Sequence, residues 1–303
     1  MPPESTAAAE VPRPSPRTAR LGLVALAAIV LLAVVETAQA LVAPSRAPTD
    51  RDWRAAAGDV RADFRPGDLL VAAPAWADPL LRMHLGDLIP IPTAARMDDA
   101  RYRRVWEVSQ RGARADEARG TVTRQRRFGA LTVRLIERPP VEVTYDFLER
   151  WPEAVVTRWN PATATAAACP WQGDRSVCTD GGGGGHVELV EVDTRIRRAI
   201  LAPPVARAIT AIEFRAVPLG RELAVAAGLH DVWARKYATG TVYFEVWIDG
   251  RRVLGESVGN RSGWRELRVD TSARAGQVVP VRFQISSARP ELRHFAFAAE
   301  ARR

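Results

Sequence analysis

From Leu21 to Val35 the sequence carries no charged side chain, and apolar character resumes after Glu36 and continues to Ala43. Taken whole, Leu21–Ala43 is long enough to cross a bilayer as one helix, which needs about 20 apolar residues. Glu36 would then sit near an interface, where a carboxylate costs less than at the bilayer centre. The rival reading is a cleaved signal peptide, supported by an uncharged run that ends near Ala38-Gln39-Ala40, an A-x-A pattern. A long preceding segment and apolar residues beyond the cut favour a retained anchor. Residues 1–20, rich in Pro, Ala, Ser and Thr, read as a disordered tail. Arg13, Arg17 and Arg20 precede the apolar run while Arg46, Arg51 and Arg54 follow it, so the distribution of positive charge sets no orientation.

The chain has 303 residues, room for about two domains and a real core. Its net charge of +8 raises the question of nucleic acid. Against that, Lys236 is the only Lys and the arginines are spread along the whole chain. No basic run is interleaved with aromatics as a single-strand groove requires, so no nucleic-acid partner is expected. Abundant Arg and Ala fit a GC-rich bacterial genome.

The two cysteines, Cys169 and Cys178, flank a hairpin-like run. A two-residue turn at Gly173-Asp174, with Gly first as a type II′ turn prefers, sets Trp171 opposite Ser176 and Cys169 opposite Cys178. Alternation makes the cysteines a non-hydrogen-bonded pair with Cα atoms about 4.5 Å apart, within disulfide reach. Pro170 falls at a hydrogen-bonded position and cannot donate. Zinc is not indicated, because no second ligand pair has suitable spacing. A disulfide argues for an oxidising compartment. The expected location is a bacterial inner membrane, with the bulk of the chain on the periplasmic side.

Residues 51–138 read as a small α/β domain. A helix begins at Asp52, a candidate N-cap. Leu69–Ala73 is a continuous apolar run, as in a buried parallel strand. Trp76 to Leu85 reads as a second helix, Val105–Val108 as a strand, and Thr121–Arg127 with Leu131–Ile136 as a hairpin. Residues 141–303 read as all-β, from short alternating runs punctuated by Gly, Pro and Asp-Gly turns. Val242–Ile248 and Arg251–Val258, joined by Asp249-Gly250, form the clearest hairpin. Gly181–Gly185 reads as a flexible loop. The expected fold class is α+β: one transmembrane helix at 21–43, the α/β domain, then a jelly-roll-like β-sandwich.

Two stretches carry resemblances. Asp52-Trp53-Arg54-Ala55-Ala56-Ala57, Arg65-Pro66-Gly67-Asp68-Leu69-Leu70-Val71 and Arg127-Phe128-Gly129-Ala130-Leu131-Thr132-Val133 resemble the soluble tail of bacterial dolichyl-phosphate-mannose protein mannosyltransferase-type glycosyltransferases. Those enzymes have many membrane helices and an acidic residue in an early extracytoplasmic loop; this chain has one apolar segment and nothing matching that loop. The resemblance therefore implies an accessory or detached module with a multi-pass glycosyltransferase as partner. Gly263–Thr271 and Ala275–Phe283 are similar to the late strands of galactose-binding-like jelly rolls, many of which bind sugars.

Tyr243, Glu245 and Trp247 share one face of a strand, opposite Val242, Phe244, Val246 and Ile248. Rings with a carboxylate between them suit a sugar, whose C–H faces stack while its hydroxyls bond the acid. Trp264 is assigned to the same face. The alternative is a covered face, with Trp247 in the core. His230-Asp231, near Trp233 and Tyr237, could transfer protons, but sequence neighbours rarely face each other, and a loop cap is the simpler reading. Glu245, Glu266 and Asp270 could supply a glycosidase's carboxylates. No nucleophile elbow, P-loop or dinucleotide fingerprint is present. The expectation is a non-catalytic, membrane-anchored module binding a glycan or envelope partner, without metal or cofactor.

Overall fold

The computed structural model describes residues 16–42, 47–230 and 240–303. Residues 1–15, Ala43, and the Asp231, Trp233 and Tyr237 invoked around His230 lie outside that set. Helix α1 (Pro16–Val42) takes in residues 16–20, expected to belong to the tail. Its stretch Leu23–Leu41 is long and apolar enough to cross a membrane, and none of it is buried.

Helix α2 (Asp50–Arg61) is capped by Thr49 and not by Asp52. The Thr49 hydroxyl accepts from the Asp52 N–H (3.3 Å) while the Asp52 carboxylate accepts from the Thr49 N–H (2.9 Å), a reciprocal capping box. Strand β1 (Leu69–Ala73) is buried throughout and lies parallel to β2 (Arg104–Gln110), as its unbroken apolar run demands. The expected helix from Trp76 begins as a 3₁₀ turn at Ala75–Ala77 and becomes α-helical only as α3 (Asp78–Leu85). Pro79 sits in its first turn, where a missing N–H costs nothing. A short α4 (Ile91–Ala94) precedes β2. Strands β3 (Thr121–Phe128) and β4 (Leu131–Glu137) complete a sheet of order β1-β2-β4-β3. Leu70, Trp106, Val133 and Leu135 of this sheet pack under Trp53, Val60, Leu81 and Leu85 of the helices.

Fourteen further strands make a sandwich: β5 (Val143–Asp146), β6 (Val155–Asn160), β7 (Thr165–Cys169), β8 (Trp171–Gln172), β9 (Arg175–Val177), β10 (Gly183–Val192), β11 (Arg195–Leu201), β12 (Ile209–Pro218), β13 (Glu222–Leu229), β14 (Val242–Ile248), β15 (Arg251–Val258), β16 (Arg265–Asp270), β17 (Val278–Ser286) and β18 (Phe295–Arg302). One sheet runs β16-β13-β18-β11-β10-β9-β8, with β5 beside β18; the other runs β15-β14-β17-β12-β6-β7. Between them lie Phe147, Phe214, Phe244, Phe283, Phe295 and Phe297, all fully buried. The fold is thus α+β: one apolar N-terminal helix, a small α/β unit and a jelly-roll-like β-sandwich.

The disulfide Cys169–Cys178 forms, and its hairpin has the expected register, Trp171 opposite Ser176 and Gln172 opposite Arg175. Only the first turn residue, Gly173, has positive φ (70°), as type II′ requires. Pro170 accepts from the Val177 N–H (3.0 Å) but has no N–H to return. The ladder breaks there: β7 stays in the six-stranded sheet and β8 crosses to the other. Cys169 ends β7 while Cys178 follows β9, so the disulfide staples the two sheets together. The glycine run expected to be loose supplies the first residues of β10. A Cβ at Gly184 would lie 3.0 Å from the Cys169 Cβ and 3.1 Å from Val156, so only glycine lets the strand pass the staple.

The α/β unit docks on the outer face of the eight-stranded sheet. Asp98 accepts from Arg302 (2.8 and 3.0 Å) and from Arg268 (3.1 Å), Arg101 bonds Asp146 (3.0 Å) and Glu300, and the Arg198 N–H donates to the Ala95 carbonyl (2.8 Å). Burial pushes the Asp98 carboxyl up, but the bonds and charge of Arg302 outweigh it and hold the group below its ordinary value.

Candidate functional site

The hairpin β14–β15 turns at Asp249-Gly250, both with positive φ (51° and 71°), the type I′ geometry that matches strand twist. On β14, Val242, Phe244, Val246 and Ile248 fill the core, and Tyr243, Glu245 and Trp247 face outward as expected from alternation. Outward does not mean free. Trp247 is half-buried, lies in register between Arg252 and Arg282, and donates its indole N–H to Glu245 (3.1 Å). Arg252 donates to the other Glu245 oxygen (2.8 Å). Tyr243 is the open ring, 52% exposed.

A β-bulge makes the site. The turn pairs Ile248 with Arg251 and Trp247 with Arg252, but Val246 then pairs with Leu254, skipping Val253. An extra residue in one strand reverses which of its side chains face outward. Gly255 therefore falls opposite Glu245 and Ser257 opposite Tyr243 on the outer face, while Leu254 packs against the core. Gly255 leaves its place empty, and a hollow of about 420 Å³ opens over it, walled by Tyr243, Glu245, Arg252 and Ser257. The Glu245 carboxylate has one protein donor on each oxygen, leaving lone pairs to accept from a ligand. The set combines an apolar ring face, a fixed acceptor, a guanidinium and a hydroxyl.

Sequence reasoning missed Arg252, Gly255 and Ser257, because each depends on the bulge. The available signal was a glycine inside a strand, a common mark of a bulge. Trp159, also exposed, stands on the same sheet face, on β6.

Trp264 does not share this face. It precedes β16 in the other sheet, donates its indole N–H to the Arg195 carbonyl (2.9 Å), lies under the Arg197 guanidinium (5.2 Å) and packs with Val190 and Val192. Nor are the three carboxylates proposed for a glycosidase brought together. Glu245 lies on the six-stranded sheet; Glu266 and Asp270 lie on β16, bonded to Arg197 (2.6 Å) and to Ser272 (2.6 Å). The fold does bring two histidines close: the His230 N–H donates to the His294 carbonyl (2.9 Å), and burial, then the charge of His230, holds the His294 ring below its ordinary value. Among the described residues no group of three His, Cys, Asp or Glu could hold a metal ion.

A larger cleft, about 830 Å³, runs between the α/β unit and the sandwich. Its charged lining is largely paired within the protein, as in Arg96–Glu117 (2.9 Å), Arg197–Glu266 (2.6 Å) and Asp99–Arg138 (2.8 Å). Each of these pairs lies within one unit, and the pairing leaves few charged groups to meet a ligand.

No family model matches this chain, and no curated protein matches it. Solved structures do. A CBM51 carbohydrate-binding module from a Clostridium perfringens GH95 protein, in complex with methyl-galactose, is 15% identical, covers 44% of this chain and 91% of its own, and has a TM-score of 0.30. The structure of CBM51-2 with the INT domains of Clostridium perfringens ZmpB, in complex with GlcNAc, is 14% identical over 54% of this chain and 40% of that one, with a TM-score of 0.32. A CBM35 from Paenibacillus barcinonensis is 14% identical over 40% of this chain and 92% of its own, with a TM-score of 0.23. The sandwich is similar to these modules in outline only, and the likeness identifies no ligand.

Proposed function

We propose that this chain is a membrane-anchored, extracytoplasmic binding module that takes a glycan in the hollow over Gly255, without catalysing a reaction on it. The observation that carries the proposal is the hollow itself: an open bay beside an exposed tyrosine, with a carboxylate pre-oriented by Trp247 and Arg252. A sugar's C–H face stacks on Tyr243, its hydroxyls donate to Glu245, and Arg252 and Ser257 donate to its oxygens. Holding Glu245 in place beforehand lowers the ordering cost of binding. Helix α1 serves as the anchor, and the Cys169–Cys178 disulfide supports an oxidising, periplasmic setting for the rest.

The test is a glycan array probed with the full chain in detergent, repeated with Tyr243→Ala and Trp247→Ala. Wild type should bind a defined subset of glycans. Tyr243→Ala should lose roughly 1–3 kcal/mol of affinity, a typical loss for an aromatic anchor, and unfold at the same temperature. Binding of no glycan, or full binding by Tyr243→Ala, would defeat the proposal. Unfolding of Trp247→Ala would place that ring in the core and leave it no part in the site.

A further inference from the structure

The α/β unit exposes an apolar stripe far from the hairpin site in sequence. Trp76, Leu80 and Met83 stand at i, i+4 and i+7, so they share one face of the 3₁₀ turn and of α3, with Pro79 beside them. The other face, Ala77, Leu81 and Leu85, fills the core. The stripe is open: Trp76 is 60% exposed and Met83 76%. Ile91 at the start of α4, flanked by exposed Pro90 and Pro92, projects from the same unit at 65% exposure. Contiguous exposed apolar surface of this kind marks an interaction site.

The flank of the stripe indicates what covers it. His84, one residue after Met83 and four after Leu80, stacks on Trp53 of α2 with ring centroids 5.8 Å apart and planes within 4°. Its Nε2 lies 3.6 Å from Asp50, the first residue of α2. Only residues 43–49 separate Asp50 from the end of α1 at Val42. Seven residues reach at most about 25 Å when fully extended. The stripe is therefore held beside the place where the chain arrives from its apolar helix. A Trp with Leu and Met neighbours at that level suits the headgroup–acyl boundary, and exposed Arg51 in the first turn of α2 supplies a cation for lipid phosphates.

We propose that Trp76, Leu80 and Met83 dock the α/β unit onto the bilayer surface next to α1, so that the unit lies on the membrane and carries the sandwich from there. This rests on α1 acting as an anchor. The sequence has two cysteines and both are in the disulfide, so Met83→Cys adds a single free thiol for a nitroxide spin label. The full chain would be reconstituted into vesicles of phosphatidylcholine and phosphatidylglycerol, with a label at Ala33→Cys in α1 as a separate reporter. Relaxation by oxygen against a water-soluble nickel chelate reads the depth of each label.

The expected result is an oxygen-rich label at Ala33, an oxygen-rich and chelate-poor label at Met83, and recovery of chelate access at Met83 when Trp76→Glu is added. A deep Ala33 label with a fully aqueous Met83 label overturns the docking and leaves the anchor standing. Aqueous labels at both positions overturn the anchor, and the docking with it. Exclusion of both oxygen and chelate from Met83 means that a second copy or another protein covers the stripe, and this also overturns lipid docking. So does protection that Trp76→Glu leaves unchanged.

Discussion

Strands β14 and β18 face each other's sheet across one core, yet their backs meet different surroundings. On β14, Val242, Phe244, Val246 and Ile248 are buried while Tyr243 stands in solvent and Glu245 and Trp247 are half-covered. On β18 all eight residues are buried. Phe295, Phe297, Ala299 and Ala301 enter the core. Ala296, Ala298, Glu300 and Arg302 occupy the back, where Glu300 and Arg302 meet Arg101 and Asp98 of the α/β unit. Alternating apolar residues alone cannot separate the two cases. The intervening residues can: alanines and internally paired charges let another layer approach, whereas rings and a polar hollow keep a face open.

Breaking the covered back should cost most. Arg302→Ala takes away the buried cation that Asp98 and Glu300 share, leaving Asp98 only the half-exposed Arg268 and Glu300 only the half-exposed Arg101, and removing one partner of such a buried cluster costs up to about 3–5 kcal/mol. Urea denaturation measures it, and a loss under about 1 kcal/mol would mean that the two units hardly depend on this contact. Replacing both cysteines with alanine removes the staple between the sheets. It should cost about 2–3 kcal/mol, the loop-entropy value for so short a loop, and a neutral result would show that the edge strands hold without it. Ala298→Leu should cost about 1–3 kcal/mol through overpacking, while Ser257→Leu on the open face should stay within about 0.5 kcal/mol. Equal effects would erase the distinction drawn between the two backs.

The smallest effect is a pH dependence. Asp98 is held below its ordinary value of 3.8, so its ion pairs contribute stability above that value and lose it as pH falls through the depressed one. The urea midpoint of wild type should keep a constant margin over Asp98→Asn from pH 8 to pH 5, and the margin should shrink only in stronger acid. A margin that fades between pH 7 and pH 5 would contradict this assignment.

Much of the fold is legible in the sequence wherever one physical constraint acts alone. The apolar run of α1, the unbroken Leu69–Ala73 strand, the Asp249-Gly250 turn and the cysteine hairpin each depend on local chemistry, and each stands where expected. Errors arose where tertiary contacts intervene. Thr49 captured the cap because Asp52 bonds back to it. The glycines at 183–185 joined a strand because β9 lies beside them. Trp264 went to the opposite sheet because its face depends on sheet order and not on strand alternation. In the candidate site, Tyr243 and Glu245 followed from alternation. The bay did not, because the bulge after Arg252 shifts β15 by one residue.

We propose that the empty place over Gly255 receives the ligand, and Gly255→Val fills that place. A Cβ there meets nothing nearer than the tip of Arg252 at 3.9 Å, the backbone is not in the left-handed region, and valine suits a strand. The variant should melt at or above the wild-type temperature and lose the glycans that wild type binds on the array. Undiminished glycan binding by a well-folded Gly255→Val protein would contradict the account.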